Sequence, residues 1–289
     1  PALGTETLES AGQQLENILP KLIGLTINQV FEHTYKVFPA TNYAIETALL
    51  GLQAEQQNTS ICRLINANAA AQIKVNTMLG GLDNNILNRA KQAEAQGFSV
   101  LKIKTGILPV EEEFSRLEGL IQQLDPQTSL RLDANKAWNK NLCMKIIDRL
   151  NNYTDKIDGL EEPLNHYNEK QYRELQQATA IPLALDESFS GNINHASASF
   201  NLPVRRLILK PTAIGGLRQS YRIAKIVQRH NIEVIITSSI ETGYGLWANT
   251  CLAAAINNNQ THGLATGHWL ENTLVPAPDI NNGIIHLSL

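Results

Sequence analysis

The segment Val100-Leu101-Lys102-Ile103-Lys104 is a short, largely apolar run that ends in charge, and similar runs recur along the chain at a nearly even interval. Helical stretches separate these runs. Strand, helix, strand at this spacing predicts right-handed crossovers and a parallel sheet, and seven or eight such units close most naturally into a barrel. The other predicted strands are 73–75, 130–133, 159–161, 183–186, 207–210 and 234–237.

The two ends of the chain break this alternation. The N-terminal part reads as amphipathic helices at 5–20, 28–37 and 43–53. Near the other end, the turn sequence Asn281-Asn282-Gly283 leads into a predicted strand at 284–287. We expect this tail to pack against the N-terminal helices. Residues 1–70 and 271–289 would then form one small domain beside a barrel of residues 71–270.

Composition argues against several classes of protein. A net charge of −3 over 289 residues leaves no basic surface of the kind that nucleic acid requires. No run approaches the roughly 18 apolar residues of a membrane span, and the first residues carry no signal sequence. The three cysteines, Cys62, Cys143 and Cys251, are far apart, which indicates neither a zinc site nor a disulfide framework. We expect a cytoplasmic protein, either monomer or homo-oligomer.

Charged side chains follow the predicted strands, at the ends that meet at the mouth of a barrel. Only 18% of the chain is charged, so five consecutive strands that end in charge form a strong signal. In chain order these residues are Lys102, Lys104, Asp133, Glu161, Asp186 and Lys210.

Each of these charges has an ordinary explanation on its own. A single Asp after a strand usually caps the next helix, and a single strand lysine usually extends into solvent. Taken together they favour one site, because carboxylates packed closely repel and resist ionisation unless a cation joins them. Oxygen ligands favour Mg²⁺ or Mn²⁺. The sequence therefore predicts one divalent cation bound by Asp133, Glu161 and Asp186.

The two lysines of the first segment lie two residues apart and so point to the same face of a strand. Two neighbouring ammonium groups beside a metal lower each other's pKa, which for a free lysine is about 10.4. A lysine tuned in this way can act as a general base near neutral pH. Lys210 would face Lys102 and Lys104 from across the mouth.

These motifs together resemble the enolase superfamily, in the muconate lactonizing enzyme subgroup with its Lys-x-Lys motif on the second barrel strand. Any one of them alone would be weak, but as an ordered set they are specific. The matching pieces are Lys102-Ile103-Lys104, Asp133-Ala134-Asn135, Glu161-Glu162-Pro163, Asp186-Glu187-Ser188 and Lys210-Pro211.

The resemblance implies a (β/α)7β modified TIM barrel with an α+β capping domain formed from both chain ends. It implies Mg²⁺ bound to the three carboxylates, with Asn135 and Glu162 supporting them. The metal would bind a substrate carboxylate and stabilise the enediolate that forms when the α-proton leaves. The family's capping domain normally opens with β-strands and a mobile loop. Neither precedes Pro1, so we expect residues missing from the start.

The resemblance also assigns roles to the lysines. Lys104 would be the base, Lys102 would tune it, and Lys210 would stabilise charge or act as a second acid or base. Within the superfamily the chain is most similar to the o-succinylbenzoate synthases of menaquinone and phylloquinone synthesis. Their reaction is a syn elimination of water from 2-succinyl-6-hydroxy-2,4-cyclohexadiene-1-carboxylate. The segments that carry this similarity are 131–138, 184–188, 209–212, 237–243 and 267–270.

Three further residues are candidates for substrate contacts. Ser238 and Ser239 would present hydroxyl and backbone N–H groups, although a simple strand-to-helix cap explains them equally well. Gly267 lies in the last barrel turn, where the backbone would approach the substrate. His268 and Trp138 are expected only to pack.

Other functions remain open at this point. A dipeptide epimerase or N-acylamino acid racemase shares the metal site and the lysine pair. Dipeptide epimerases tend to carry an acidic motif on the last strand, and Leu264-Ala265-Thr266-Gly267 has none. Two further alternatives are a catalytically silent barrel that serves as a binding protein and a Schiff-base aldolase that uses Lys210.

Overall fold

The structure, a computed structural model, describes residues 5–32, 36–189 and 202–288. The predicted helix at 28–37 and the predicted barrel at 71–270 lie partly outside these residues. Residues 1–4 and 289, which belong to the predicted capping domain, also lie outside the described residues.

Four helices precede the sheet; the first three overlap the predicted helical stretches, and the fourth was not predicted. They are α1 (Leu8–Leu22), α2 (Ile27–Glu32), α3 (Pro39–Gln56) and α4 (Ile61–Ile65). Helix α1 begins after Thr7, whose side chain accepts a hydrogen bond from the backbone N–H of Ser10. Helix α3 begins at Pro39, whose fixed φ suits the first helical position.

Most of the remaining strands are followed by a helix, although β1 leads directly into β2 and α9 is followed directly by α10. The strands are β1 (Gln72–Val75), β2 (Thr77–Gly81), β3 (Val100–Lys104), β4 (Ser129–Asp133), β5 (Ile157–Glu161), β6 (Leu183–Leu185), β7 (Arg206–Leu209), β8 (Glu233–Ile236), β9 (Thr261–His262) and β10 (Ile284–His286). The helices are α5 (Ile86–Ala95), α6 (Val110–Ile121), α7 (Lys140–Leu150), α8 (Glu169–Gln177), α9 (Pro211–Ile214), α10 (Leu217–Gln228) and α11 (Gly243–Ile256).

Seven of these strands form one curled sheet in chain order, from β2 to β8. Every neighbouring pair is parallel, as the alternation of strands and helices predicts. All seven predicted strands are present, as β1 and as β3 to β8, but β1 lies in a separate three-stranded sheet with β9 and β10 and not in the seven-stranded sheet. Strand β2 was not predicted, because its sequence ends in two glycines and lacks the apolar, β-branched signature of the others.

Strand β9 connects the two edges of the sheet. Thr237, which follows β8, forms a parallel bridge with Gly263, which follows β9. Strand β9 also pairs in parallel with β1, and β1 continues through Asn76 directly into β2. These pairings curl the strands around a common apolar core.

The C-terminal tail has a different partner from the one expected. Asn282 and Gly283 both have positive φ, as a two-residue hairpin turn requires, and β10 then pairs antiparallel with β1. The prediction placed this strand against the N-terminal helices. Pairing with β1 satisfies the backbone groups along that strand's edge and buries Ile285.

Helix α11 is the most apolar helix, and it is buried over most of its length. Its burial against α4, α10 and β8 explains its composition. In the part of the chain that the structure describes, no helix is both long enough and apolar enough to cross a membrane.

Candidate active site

The register of the sheet brings the predicted site residues together. Lys104 is the Cα partner of Asp133, and Asp133 is the Cα partner of Glu161. Asp186 directly follows β6, and Lys210 directly follows β7. All of them lie at the carboxyl ends of the strands, where the sequence predicted a common mouth.

The ammonium group of Lys102 lies between two carboxylates. Its Nζ is 2.9 Å from Oδ2 of Asp133 and 2.5 Å from Oε2 of Glu161, and all three side chains are buried. Burial lowers the pKa of Lys102, but the charges of Glu161 and Asp133 outweigh it and hold the pKa above the ordinary value. The prediction of a lowered pKa is therefore wrong for Lys102, because two acids contact its ammonium directly.

Lys104 has a different environment. Its side chain is exposed, and it makes no ion pair or hydrogen bond with any residue that the structure describes. The two lysines lie on the same face of β3, as predicted, but only Lys102 is held by carboxylates. The side chain of Lys104 is therefore not tied to a carboxylate and can reach a molecule bound at the mouth.

Lys210 and Asp186 form a second ion pair, separate from the contacts of Lys102 with Asp133 and Glu161. Lys210 Nζ lies 2.8 Å from Oδ2 of Asp186 and 3.7 Å from Oε1 of Glu187. Burial raises the pKa of Asp186 to about 7, despite the opposing charge of Lys210. Burial lowers the pKa of Lys210, and Asp186 more than offsets this, so the lysine keeps its proton.

Glu162 fixes the loop that carries Asp186. It is completely buried, and its Oε1 accepts hydrogen bonds from the backbone N–H groups of Asp186 (2.6 Å) and Ser188 (2.8 Å). The Ser188 hydroxyl is 2.8 Å from Oε2. Glu162 itself has a φ of 42°, an unusual value for a residue with a side chain. This placement agrees with the supporting role expected of Glu162.

Asn135 supports the site through its backbone. Its N–H donates to Oδ1 of Asp133 at 3.1 Å, while its side chain is exposed. Its φ is 42°, and that of Lys136 is 63°. Backbone strain of this kind concentrates at functional sites, where the surrounding structure holds it in place.

A buried charge network that the sequence analysis did not predict lies beneath the mouth. Arg131 Nε is 2.7 Å from Asp158 Oδ2 and 3.7 Å from Glu161 Oε1. Arg206 also contacts Asp158 at 2.7 Å. Arg131 precedes Asp133 by two residues on β4 and therefore shares its face. The two-residue spacing from Asp133 was the sequence signal that could have identified Arg131. Its guanidinium adds positive charge next to Glu161.

The backbone N–H groups of Ser238 and Ser239 were expected to be available to a substrate, but both donate hydrogen bonds within the protein. The N–H of Ser238 donates to Gly263 O, and the N–H of Ser239 donates to both carboxylate oxygens of Glu241. Neither N–H is free for a substrate. Neither serine caps a helix, because α11 begins only after Thr242.

The hydroxyl groups of the two serines also differ. Ser238 Oγ accepts from the N–H of Ile240 and pairs with the hydroxyl of Thr266. The buried Ser239 Oγ has no hydrogen-bond partner among the described residues. Ile240 has a φ of 64°, which is strained for a β-branched residue. Glu241 is a second residue that sequence reasoning missed; it holds this loop by also accepting from Thr212.

The remaining candidates have structural explanations. A side chain on Gly267 would collide with Ala277, so close packing rather than substrate contact requires glycine there. Trp138 is buried and bridges to Leu164, as expected of a packing residue. His268 was expected to pack but is exposed, with its ring edge-on to Trp269.

The three predicted metal ligands have oxygen donors that suit Mg²⁺ or Mn²⁺. Within residues 5–32, 36–189 and 202–288, however, no three His, Cys, Asp or Glu side chains converge into a group that could hold a metal ion. Their charges still act on one another, since Glu161 helps to raise the pKa of Asp186. Binding of a divalent cation would compete with the ammonium groups of Lys102 and Lys210.

The curled seven-stranded parallel sheet carries its charged cluster at the carboxyl ends of its strands, the edge at which barrel enzymes carry their functional groups. Residues 85–288 match the family described as "Enolase C-terminal domain-like", and the chain belongs to that family. Its relatives are enzymes, lyases or epimerases.

Individual relatives are distant and differ in activity. The chain is 27% identical to an L-Ala-D/L-Glu epimerase of Francisella tularensis subsp. novicida, over 75% of this chain and 60% of the relative's length. It is 27% identical to an o-succinylbenzoate synthase of Vibrio cholerae, over 92% of this chain and 75% of the relative. A dipeptide epimerase structure from Enterococcus faecalis covers 98% of this chain, with a TM-score of 0.86, 24% identity and 84% of its own length covered. That likeness shows the fold alone.

Proposed function

We propose that this chain is an acid–base lyase of the o-succinylbenzoate synthase type, with a (β/α)7β barrel and a capping domain. The proposed reaction is the syn elimination of water from 2-succinyl-6-hydroxy-2,4-cyclohexadiene-1-carboxylate. The observation that carries the proposal is the contrast between the free amine of Lys104 and the ion-paired ammonium of Lys102 on the same strand face. One lysine can move a proton while the other stays charged.

A single lysine that accepts a proton and then returns it is sufficient for this reaction. The neutral amine of Lys104 takes the α-proton and becomes an ammonium. The same ammonium then gives the proton to the departing hydroxyl on that face, so that water leaves and the ring becomes aromatic. The fixed positive charges of Lys102 and Lys210 favour the anionic carboxylate of the substrate and the negative charge that develops next to it.

We also propose Mg²⁺, or Mn²⁺, as the cofactor, held by Asp133, Glu161 and Asp186. Because these side chains do not converge into a metal-binding group among the described residues, the cation would have to displace the ammonium groups of Lys102 and Lys210 and draw the acids together. When bound, it supplies Lewis-acid stabilisation of charge that develops on the substrate carboxylate. Glu162 and Asn135 position these acids through the hydrogen bonds described above. The unpartnered hydroxyl of Ser239 is proposed to contact the substrate once the loop moves to uncover it, since it is buried in the structure.

The leading alternative is epimerisation of a dipeptide or an N-acylated amino acid. Such a reaction would use Lys104 and Lys210 on opposite faces of one carbon. Two observations favour the dehydration. Lys210 is held by Asp186 with a raised pKa, which makes it a poor base, and residues 264–267 carry no acid that could bind a substrate amine.

The direct test is incubation with the cyclohexadiene substrate and Mg²⁺, followed by absorbance of the aromatic product. We expect turnover by the unaltered chain and a loss of at least about 10³-fold in Lys104→Ala, within the range of general-base effects. Lys145→Ala, an exposed lysine on α7, is the matched control and should keep full activity. Racemisation of N-acylated amino acids or dipeptides without dehydration would favour the alternative. Absence of both activities would favour a silent binding protein.

A further inference from the structure

Two of the three cysteines meet at the interface between helices α4 and α11. The sulfur atoms of Cys62 on α4 and Cys251 on α11 lie 2.7 Å apart, although 189 positions separate them in the chain. A disulfide bond is about 2.05 Å long, so joining the two sulfurs requires a movement of only about 0.7 Å. No disulfide joins the two residues in the structure.

Independent hydrogen bonds hold the two backbone segments in this position. The side chain of Asn66 donates to the carbonyl of Ala255 at 2.7 Å, and the N–H of Ala70 donates to Ala254 O at 2.9 Å. The side chain of Asn257 donates back to Asn68 O at 3.0 Å. The proximity of the sulfurs is thus part of a well-connected interface and does not depend on the cysteines alone.

We propose that Cys62 and Cys251 form a reversible disulfide that ties the N-terminal helices to α11 under oxidising conditions. Cys62 is buried at 1% exposure, but Cys251 is partly exposed, so a small oxidant can reach the pair from the surface. Hydrogen bonding to Cys251 lowers the pKa of the Cys62 thiol against the opposing effect of burial, which favours the reactive thiolate.

The proposed oxidant is a hydroperoxide such as hydrogen peroxide. One thiol is oxidised to a sulfenic acid as the O–O bond breaks and the first water leaves. The second sulfur then attacks the sulfenic sulfur, the S–S bond forms, the S–O bond breaks, and the second water leaves. In total two thiols lose two electrons and two protons, and one peroxide becomes two waters. Dithiothreitol reverses the reaction by thiol–disulfide exchange.

Cys143 provides the matched control within the same chain. It is completely buried on α7, and burial raises its pKa to about 12. The experiment treats the unaltered chain and Cys143→Ala with hydrogen peroxide, unfolds them, alkylates the free thiols and identifies linked peptides by mass spectrometry. We expect the unaltered chain to lose two of three alkylation sites and Cys143→Ala to lose both of its two. One peptide should link residues 62 and 251.

A second readout does not depend on peptide identification. Closing so long a loop should raise the Tm by about 5 °C or more in the unaltered chain and in Cys143→Ala, and dithiothreitol should abolish the rise. Cys251→Ala changes the more exposed partner and should show no oxidation-dependent rise. The proposal is wrong if all thiols remain alkylatable after oxidation, if the link involves Cys143, or if it joins separate molecules.

Discussion

At the residue scale, two lysines separated by a single residue have opposite environments. Lys102 contacts two buried acids, whereas Lys104 extends from the same face into an open mouth. The difference comes from the neighbouring strands, since the acids of β4 and β5 reach Lys102 across the sheet. This contrast separates a residue that neutralises charge from one that can transfer a proton.

This contrast predicts different stability effects for the two lysines. Lys102→Met removes the ammonium that contacts both Asp133 and Glu161 and leaves only Arg131 beside Glu161. Removal of one partner from a buried pair costs about 3–5 kcal/mol. Lys104→Met removes an exposed, unpaired group and should change the free energy of unfolding by less than about 0.5 kcal/mol. Urea denaturation without Mg²⁺ measures both. Equal losses in the two variants would contradict the assigned contacts.

At the scale of elements, β9 has a special position because it connects the edges of the sheet. His262 on β9 is buried, and its Nδ1 accepts a hydrogen bond from the backbone N–H of Ile236 at 3.0 Å. Burial, with a smaller effect of Arg131, lowers the pKa of His262 to about 3. The histidine is therefore neutral in the folded protein and helps to join β8 to β9.

The lowered pKa predicts a loss of stability in mild acid. Below the ordinary pKa of about 6.5 the unfolded chain binds a proton on His262, while the folded chain does not until about pH 3. The stabilising contribution is complete above pH 6.5 and falls progressively between 6.5 and 3. From pH 7.5 to 5.5 the unaltered chain should lose about 1.4 kcal/mol more than His262→Asn. Identical pH dependence of the two free energies of unfolding would refute this.

At the scale of the whole molecule, the sequence was sufficient to predict strands β3 to β8 in order and the sheet edge at which the candidate site residues lie, but not β2 or β9. Parallel strands must bring their carboxyl ends together, so charges after successive strands converge without knowledge of the loops. Contacts between distant segments were not predictable in this way. The pKa of Lys102 depends on acids 31 and 59 positions away, the latter separation being that of its hydrogen bond to Glu161. The partner of the tail depends on an open strand edge.

The loops at the mouth also escaped prediction. The left-handed backbone of Ile240 has no signal in its residue type, since β-branched residues avoid that conformation. Only the hydrogen bonds from Ser239 to Glu241 and from Ile240 to Ser238 explain it. For the same reason the use of both serine N–H groups within the protein was visible only in three dimensions.

The proposed metal site requires that Asp133, Glu161 and Asp186 bind one divalent cation in competition with Lys102 and Lys210. Calorimetric titration with MgCl₂ measures this directly. We expect one Mg²⁺ per chain, with affinity reduced at least about tenfold, or about 1.4 kcal/mol, in Asp186→Asn. No heat of binding in the unaltered chain, or equal affinity in Asp186→Asn, would contradict it.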